Sequence, residues 1–147
     1  MTGVPPTEVV ILGAGTVGTT AARLASALGA SVKVFDSSLT RLQRLRERVG
    51  DVYTCTLQPQ ILAKALRRCD VVIGALRPVN GRTPVVVSEA MVKTMKKGSV
   101  IVDVAIDQGG CVETMRETTH VDPVYEMHGV VHYAVGNMPG AVPHTST

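Results

Sequence analysis

Aromatic residues are almost missing from this sequence of 147 residues, which contains one phenylalanine, three tyrosines and no tryptophan. An apolar core of this chain must therefore consist of valine, isoleucine, leucine and alanine, the residues that fill parallel sheets covered on both faces. Hydrophobic residues make up 45% of the chain and the mean hydropathy is +0.22. This composition excludes a disordered chain and predicts a well-buried α/β domain.

Closely spaced cysteine pairs, apolar runs of membrane-spanning length and a large net charge are also lacking. Cys55, Cys69 and Cys111 are odd in number and form no CxxC pair, which argues against a disulfide framework and a zinc site. No apolar run approaches membrane-spanning length, and the N-terminus has no basic segment followed by an apolar one. The net charge of +3 is too small to indicate a nucleic-acid partner. We expect a soluble, cytoplasmic domain that binds neither membrane nor nucleic acid.

Familiar catalytic and metal-binding patterns are missing as well. The sequence has no nucleophile elbow, HExxH, P-loop or EF-hand pattern. His128 and His132 are four residues apart, but Gly129, Val130 and Val131 favour a turn and a strand over the helix that a metal pair would need. The sequence therefore predicts no metal site.

Short apolar runs alternate with helical patterns along the first 110 residues. Strands are predicted at 8–12, 31–35, 52–55, 70–76 and 100–106. Helices are predicted at 16–28, at 39–49 behind Ser37 or Ser38, at 59–68, and from Ser88 to Gly98. Two later apolar runs flank His128-Gly129 and predict a hairpin-like turn. This alternation predicts an α/β Rossmann fold, a doubly wound parallel sheet in a single domain spanning residues 1–147.

The segment GAGTVG, residues 13–18, follows the first predicted strand and opens the first predicted helix. In this context GxGxxG is typical of a dinucleotide-binding turn. Gly13 permits the tight turn, Gly15 lets the backbone approach a pyrophosphate, and Gly18 lets helix and strand pack closely. The helix N-terminus then offers free N–H groups to the anion.

Asp36 ends the second predicted strand, 18 residues after Gly18. An acid at this place binds the adenosine ribose hydroxyls and repels a 2′-phosphate. Since serines and not arginines follow at Ser37 and Ser38, the sequence favours NAD over NADP. Arg41 lies one helical turn further on, either as part of a solvated face or leaning over the adenine side.

Asp103 and Asp107 share the apolar segment VIVDVAIDQGG, residues 100–110. Ligands of open α/β sheets bind beyond the carboxyl ends of the strands. Asp107 falls at such an end, beside Gly109 and Gly110, and is predicted to face the cofactor. Asp103 is expected in mid-strand as a buried carboxylate that holds backbone N–H groups.

Several long motifs extend beyond the glycine turn: GAGTVGTTAARLASALGA, DVVIGAL, GSVIVDVAIDQGGCVET and HGVVHYAVGNMPGAVPHTST. Together with Asp36 they closely resemble the NAD-binding domain of the bacterial L-alanine dehydrogenase family, to which the transhydrogenase α-subunits are related. The resemblance covers the chain from about Gly3. It implies conversion of L-alanine, water and NAD to pyruvate, ammonium and NADH.

The resemblance also implies roles for individual residues. Asp107 would be the acidic catalytic residue at the nicotinamide end, where it handles the ammonia or water proton. Asn137 and Met138 would contact the nicotinamide half, Ala75 and Leu76 would meet the cofactor by backbone and packing, and Thr54 lies near a family serine. The predicted cofactor contacts are Gly13, Gly15, Thr16, Val17, Gly18, Asp36, Arg41, Thr54, Ala75, Leu76, Ile106, Asn137 and Met138.

Two segments depart from the family pattern, namely RPVNGRTP at 77–84 and Gly136. In the family a separate domain supplies a catalytic lysine and histidine that bind pyruvate, and the full-length enzyme is a homo-oligomer. The chain begins near a hinge-like GVPP and stops at HTST, so we expect that the substrate domain is absent from it. We therefore expect NAD(H) binding with little or no turnover, and L-alanine or pyruvate as partners only alongside the substrate domain. The alternatives are a stand-alone NAD-sensing module and a transhydrogenase cofactor-domain fragment.

Overall fold

The computed structural model describes residues 4–78, 80–104, 110–116 and 124–134. Within these ranges it contains seven strands and four helices. The strands are β1 Glu8–Leu12, β2 Ser31–Asp36, β3 Tyr53–Thr56, β4 Val71–Gly74, β5 Val100–Asp103, β6 Val124–Met127 and β7 Val130–Ala134. The helices are α1 Thr16–Ala27, α2 Leu39–Val49, α3 Pro59–Arg68 and α4 Glu89–Lys93.

The strands form one sheet in the order β3-β2-β1-β4-β5-β7-β6. All neighbouring pairs are parallel except β6 and β7, which are antiparallel. From β1 the chain first adds strands on one side, β2 and β3, and then on the other side, β4 and β5. This is the strand order of a doubly wound fold. The predicted α/β Rossmann fold is confirmed, with β6 as an antiparallel addition at the edge.

Side chains on the two faces of the sheet form two apolar clusters. Along β1, Val10 and Leu12 join one cluster with residues of α3 and α4, whereas Val9 and Ile11 join the other with residues of α1 and α2. The alternation follows from the two-residue period of a strand. Both faces are therefore covered by helices, as the valine- and isoleucine-rich strands require.

Most of the predicted helix ends agree with the structure. Gly29 adopts a φ of +91° just after α1, where a left-handed residue ends the helix. Ser38 caps α2, because its hydroxyl accepts a hydrogen bond of 3.2 Å from the N–H of Arg41. Ser38, and not Ser37, is thus the cap of this helix.

The prediction that the helix after Ser88 continues to Gly98 is wrong. Ser88 does cap α4, but the helix ends at Lys93. The Thr94 hydroxyl donates to the Met91 carbonyl at 2.6 Å, and the N–H groups of Thr94 and Met95 bond three residues back instead of four. A threonine that competes for a helical carbonyl in this way favours a tight turn over another turn of α-helix.

Asp103 is the last residue of β5, not the mid-strand residue that was predicted, since Val104 already lies in a turn. It is nevertheless completely buried, and its Oδ2 accepts a hydrogen bond of 3.0 Å from the N–H of Cys111. The expected role as a buried carboxylate that holds a backbone N–H is confirmed. The Val104 N–H bonds the Gly74 carbonyl, so β5 and β4 stay paired at this point.

The predicted hairpin is confirmed at His128-Gly129, whose φ angles of +57° and +78° are those of a two-residue primed turn. On β7 the His132 side chain is completely buried. Its Nδ1–H donates to the Val130 carbonyl at 2.9 Å, so its Nε2 accepts from the Thr114 hydroxyl at 2.7 Å. The Tyr125 ring stacks on His132 with centroids 5.0 Å apart. This neutral imidazole joins the segment 110–116 to the hairpin.

We predict that His132 makes the fold sensitive to mild acid. Burial is the main cause that lowers the pKa of His132 below its ordinary value of 6.5. The unfolded chain therefore binds a proton first, and the free energy of unfolding falls as the pH drops below about 6.5. The expected slope, measured by urea unfolding between about pH 7.5 and 5.5, is at most about 1.4 kcal/mol per pH unit for this one group.

His132→Gln should flatten this slope, whereas His128→Gln should keep it because the His128 side chain is partly exposed to solvent. An unchanged slope in the His132 variant would contradict the assignment.

Candidate functional site

The carboxyl ends of β1, β2 and β4 meet at a cleft of about 430 Å³. Parallel strands deliver their carboxyl ends to one edge of the sheet, which is why residues distant in sequence come together here. The residues that line the cleft are Gly13, Gly15, Asp36, Ser37, Arg41, Leu57, Ala75, Leu76, Arg77, Pro78, Pro84 and Val86. Six of these were predicted as site residues, namely Gly13, Gly15, Asp36, Arg41, Ala75 and Leu76.

The glycine turn forms one wall of the cleft, and a side chain at any of its three glycines would crowd a neighbouring group. Gly13 has a φ of +114°, and a Cβ there would overlap the carbonyl of Ala75. A Cβ on Gly18 would overlap the carbonyl of Gly13 itself. A Cβ on Gly15 would lie 3.1 Å from Nε of Arg77, so the Arg77 side chain covers this part of the turn. At Gly13 and Gly18 the turn is thus closed by backbone contacts that only glycine permits.

Asp36 connects the glycine turn to α2. The residue is 2% exposed, and its carboxylate oxygens accept hydrogen bonds from the N–H groups of Ala14 at 2.8 Å and Ser38 at 2.7 Å. The Arg41 guanidinium lies over the same carboxylate, with Nη2 at 3.0 Å from Oδ1 and Nε at 3.3 Å from Oδ2. These contacts orient the carboxylate toward the cleft.

The charge on Asp36 is maintained in spite of its burial. Burial by itself raises the pKa of Asp36, but the hydrogen bonds from Arg41, Ala14 and Ser38 lower it more, so the pKa lies below the ordinary value of 3.8. An anion is therefore present at neutral pH beside the N-terminus of α1.

The segment after β4 forms the opposite wall. The Ala75 N–H donates to the Leu12 carbonyl at 2.7 Å, which holds the wall against the glycine turn. Leu57 directly follows β3, as Ser37 follows β2 and Arg77 follows shortly after β4. Their positions after strand ends could have identified these residues, whereas no local signal marks Pro84 and Val86.

Other predicted residues lie elsewhere. Thr54 is half-buried within β3 opposite Val34, and it does not line the cleft. Thr16 and Val17 begin α1, where Thr16 lines a neighbouring cavity and Val17 is 53% exposed. Gly18 is buried in the same helix. The predicted residues that fall outside the described ranges are Ile106, Asp107, Asn137 and Met138.

Asp103 and Cys111 lie together at the end of β4. A Cβ on Gly74 would meet the Cys111 Sγ at 2.6 Å and the Asp103 carboxyl carbon at 3.4 Å. Burial, and secondarily the Asp103 carboxylate, raise the pKa of the Cys111 thiol well above its ordinary value. The thiol therefore stays protonated and unreactive at neutral pH. The Cys111 side chain acts as a small apolar group that packs against Gly74. It lies beside the hydrogen bond that joins the Cys111 N–H to the Asp103 carboxylate.

A separate cavity of about 340 Å³ lies beside β3. Its lining includes Lys33, Tyr53, Ile61, Lys64 and Arg68, and none of the predicted site residues. Within the described ranges, no group of three or more histidines, cysteines and acids could hold a metal ion. No helix in those ranges is both long and apolar enough to span a membrane.

Comparison with known proteins places this arrangement in a family. Residues 1–147 match the family described as the alanine dehydrogenase/PNT C-terminal domain. The chain is 50% identical over 147 residues to the alanine dehydrogenase of Methanococcus maripaludis, a match that covers 99% of this chain and 39% of that relative. The chain thus spans about two fifths of the length of the curated relative.

Solved structures agree with the sequence match. An L-alanine dehydrogenase structure superimposes with a TM-score of 0.90 at 49% identity, over 100% of this chain and 41% of that one. The transhydrogenase of Sinorhizobium meliloti superimposes with a TM-score of 0.78 at 27% identity, over 89% of this chain and 37% of that one. Since the family match extends over the whole sequence, the chain belongs to the alanine dehydrogenase/PNT C-terminal domain family.

Proposed function

We propose that this chain is the NAD(H)-binding domain of an L-alanine dehydrogenase and that the cleft at the ends of β1, β2 and β4 holds the cofactor. The observation that carries the proposal is the ionised, buried Asp36 beside the glycine turn, in a chain that belongs to this family. The reaction would convert L-alanine, water and NAD to pyruvate, ammonium and NADH, with NAD as the hydride acceptor.

The first turn of α1 fits a pyrophosphate. Gly15 is the N-cap and offers no side-chain cap, and the first turn contains no acidic residue. The first N–H groups of a helix have no intrahelical partners, and the helix dipole favours an anion at this end. Because Gly15 has no side chain, an approaching phosphate would meet the backbone directly.

Asp36 fits the adenosine ribose. Its two oxygens already accept backbone N–H groups, which fixes the carboxylate in the orientation that two ribose hydroxyls need. Arg41 is 43% exposed, so its guanidinium is free to swing toward solvent or toward the adenine when the hydroxyls take its place. The apolar side chains of Leu57, Leu76 and Val86 provide surface for the purine ring.

The chemistry at the nicotinamide end rests on the family resemblance. We infer that Asp107 is the acidic catalytic residue that handles the ammonia or water proton, with Ile106, Asn137 and Met138 in contact with the nicotinamide half. The residues that bind alanine and pyruvate would lie in the parts of the full-length protein that this chain does not span. We also infer that the full-length protein is cytoplasmic and a homo-oligomer.

We predict that the domain binds NADH at least about tenfold more tightly than NADPH, because the ionised Asp36 would repel a 2′-phosphate. Asp36→Asn removes the charge while keeping an oxygen that can accept a hydrogen bond, and it should bring the two affinities close together. Isothermal titration calorimetry with each cofactor measures the ratio. The matched control is Asp51→Asn, since Asp51 is exposed and does not line the cleft. Equal affinities for NADH and NADPH in the unmodified chain would overturn the role of Asp36.

We predict that the purified chain binds NADH but forms none from L-alanine and NAD. Without groups that hold alanine against the nicotinamide, the proximity that supplies several kcal/mol of barrier lowering is lost. The measurement is the alanine-dependent increase in NADH absorbance, with the full-length alanine dehydrogenase of Methanococcus maripaludis as the positive control. Alanine-dependent NADH formation by the chain alone would show that the substrate groups lie within it.

A further inference from the structure

A second cavity of about 210 Å³ adjoins the cleft, between the first turn of α1 and the side of α2. Four arginines line it: Arg41, Arg44 and Arg48 from α2, and Arg77 from the segment after β4. The rest of the lining comes from Ala14, Gly15, Thr16, Thr19 and Leu45. We call this cavity the arginine pocket.

The arginine pocket follows from the pattern of α2. Arg41, Arg44 and Arg48 are spaced three and four residues apart, so they lie on one side of the helix. Leu42 and Leu45 are buried on the face that packs against the sheet. The three arginines therefore lie beside this packed face, on the side of α2 that borders the start of α1. Arg46 belongs to the same helix but does not line the pocket.

The positive charge of the arginine pocket is poorly balanced. Arg41 pairs with Asp36, but no ion pair within the described ranges involves Arg44, Arg48 or Arg77, and no acidic residue lines the pocket. The positive end of the α1 dipole faces the same space, and the first turn of α1 carries no acid. Such a cluster is stabilised when an anion binds between its members.

We propose that the arginine pocket binds a phosphate group. Guanidinium groups bind phosphate oxygens in pairs of parallel hydrogen bonds, and the pocket is large enough for a tetrahedral oxyanion with its remaining hydration. The phosphate comes either from a free phosphate ion or from the pyrophosphate of the cofactor, since Gly15, Arg41 and Arg77 line both the pocket and the cleft. The second source rests on the proposed function, whereas the first does not.

The test compares the double variant Arg44→Gln/Arg48→Gln with the control Arg46→Gln. Inorganic phosphate is titrated into each protein by calorimetry, with chloride at equal ionic strength as the reference. If the phosphate is a free ion, the unmodified chain and the control bind it alike, and the double variant binds it about tenfold or more weakly. Without phosphate the double variant should unfold at a urea concentration close to that of the unmodified chain, because the loss of repulsion between the arginines offsets the loss of the favourable interaction of Arg48 with the C-terminal end of the α2 dipole.

A second set of titrations, with NADH and with adenosine, distinguishes the two sources. If the phosphate is that of the cofactor, phosphate and NADH compete, and the double variant weakens NADH but not adenosine. If it is free, phosphate binds equally well to the NADH-saturated chain.

The proposal is overturned if the double variant matches the unmodified chain for both phosphate and NADH, or if Arg46→Gln causes an equal loss. Failure of the unmodified chain to bind NADH would instead overturn the proposed function. The phosphate titrations of the double variant and the control would then decide the proposal for the arginine pocket.

Discussion

The buried carboxylate of Asp36 is the interaction on which the rest of the site depends. One oxygen accepts the Ala14 N–H in the glycine turn, and the other accepts the Ser38 N–H at the start of α2. A buried carboxylate is costly unless hydrogen bonds and opposite charge compensate for it. Here two backbone donors and Arg41 supply that compensation. The same contacts that stabilise the charge also hold β1, β2 and α2 in register at the edge where a nucleotide would bind.

The two charged features at this edge have different physical origins. Asp36 is one anion held at a fixed place by backbone groups, which suits recognition of hydroxyl groups. The arginine pocket is a cluster of four guanidinium groups beside Gly15, which suits recognition of an anion. Arg41 belongs to both, because it pairs with Asp36 and lines the pocket. A ligand that displaces Arg41 from Asp36 would therefore add positive charge to the pocket.

Local signals were sufficient for most of the fold and for the centre of the site. The β-branched runs identify strands, the glycine turn identifies the cleft wall, and the pair Ser37-Ser38 identifies a helix start, because each signal depends on neighbours in sequence. The end of α4 could not be predicted, since Thr94 competes for a carbonyl only once the helix has formed. The position of Arg77 shortly after β4 was a usable signal, but only the packed structure shows that its side chain covers Gly15.

The most direct test of the account is a crystal structure of this chain with NADH bound. We predict that the two adenosine ribose hydroxyls lie within hydrogen-bond distance of the Asp36 carboxylate and that the pyrophosphate lies over Gly15 at the start of α1. A nucleotide bound in the cavity lined by Lys33 and Tyr53, with the pair of Asp36 and Arg41 undisturbed, would contradict it.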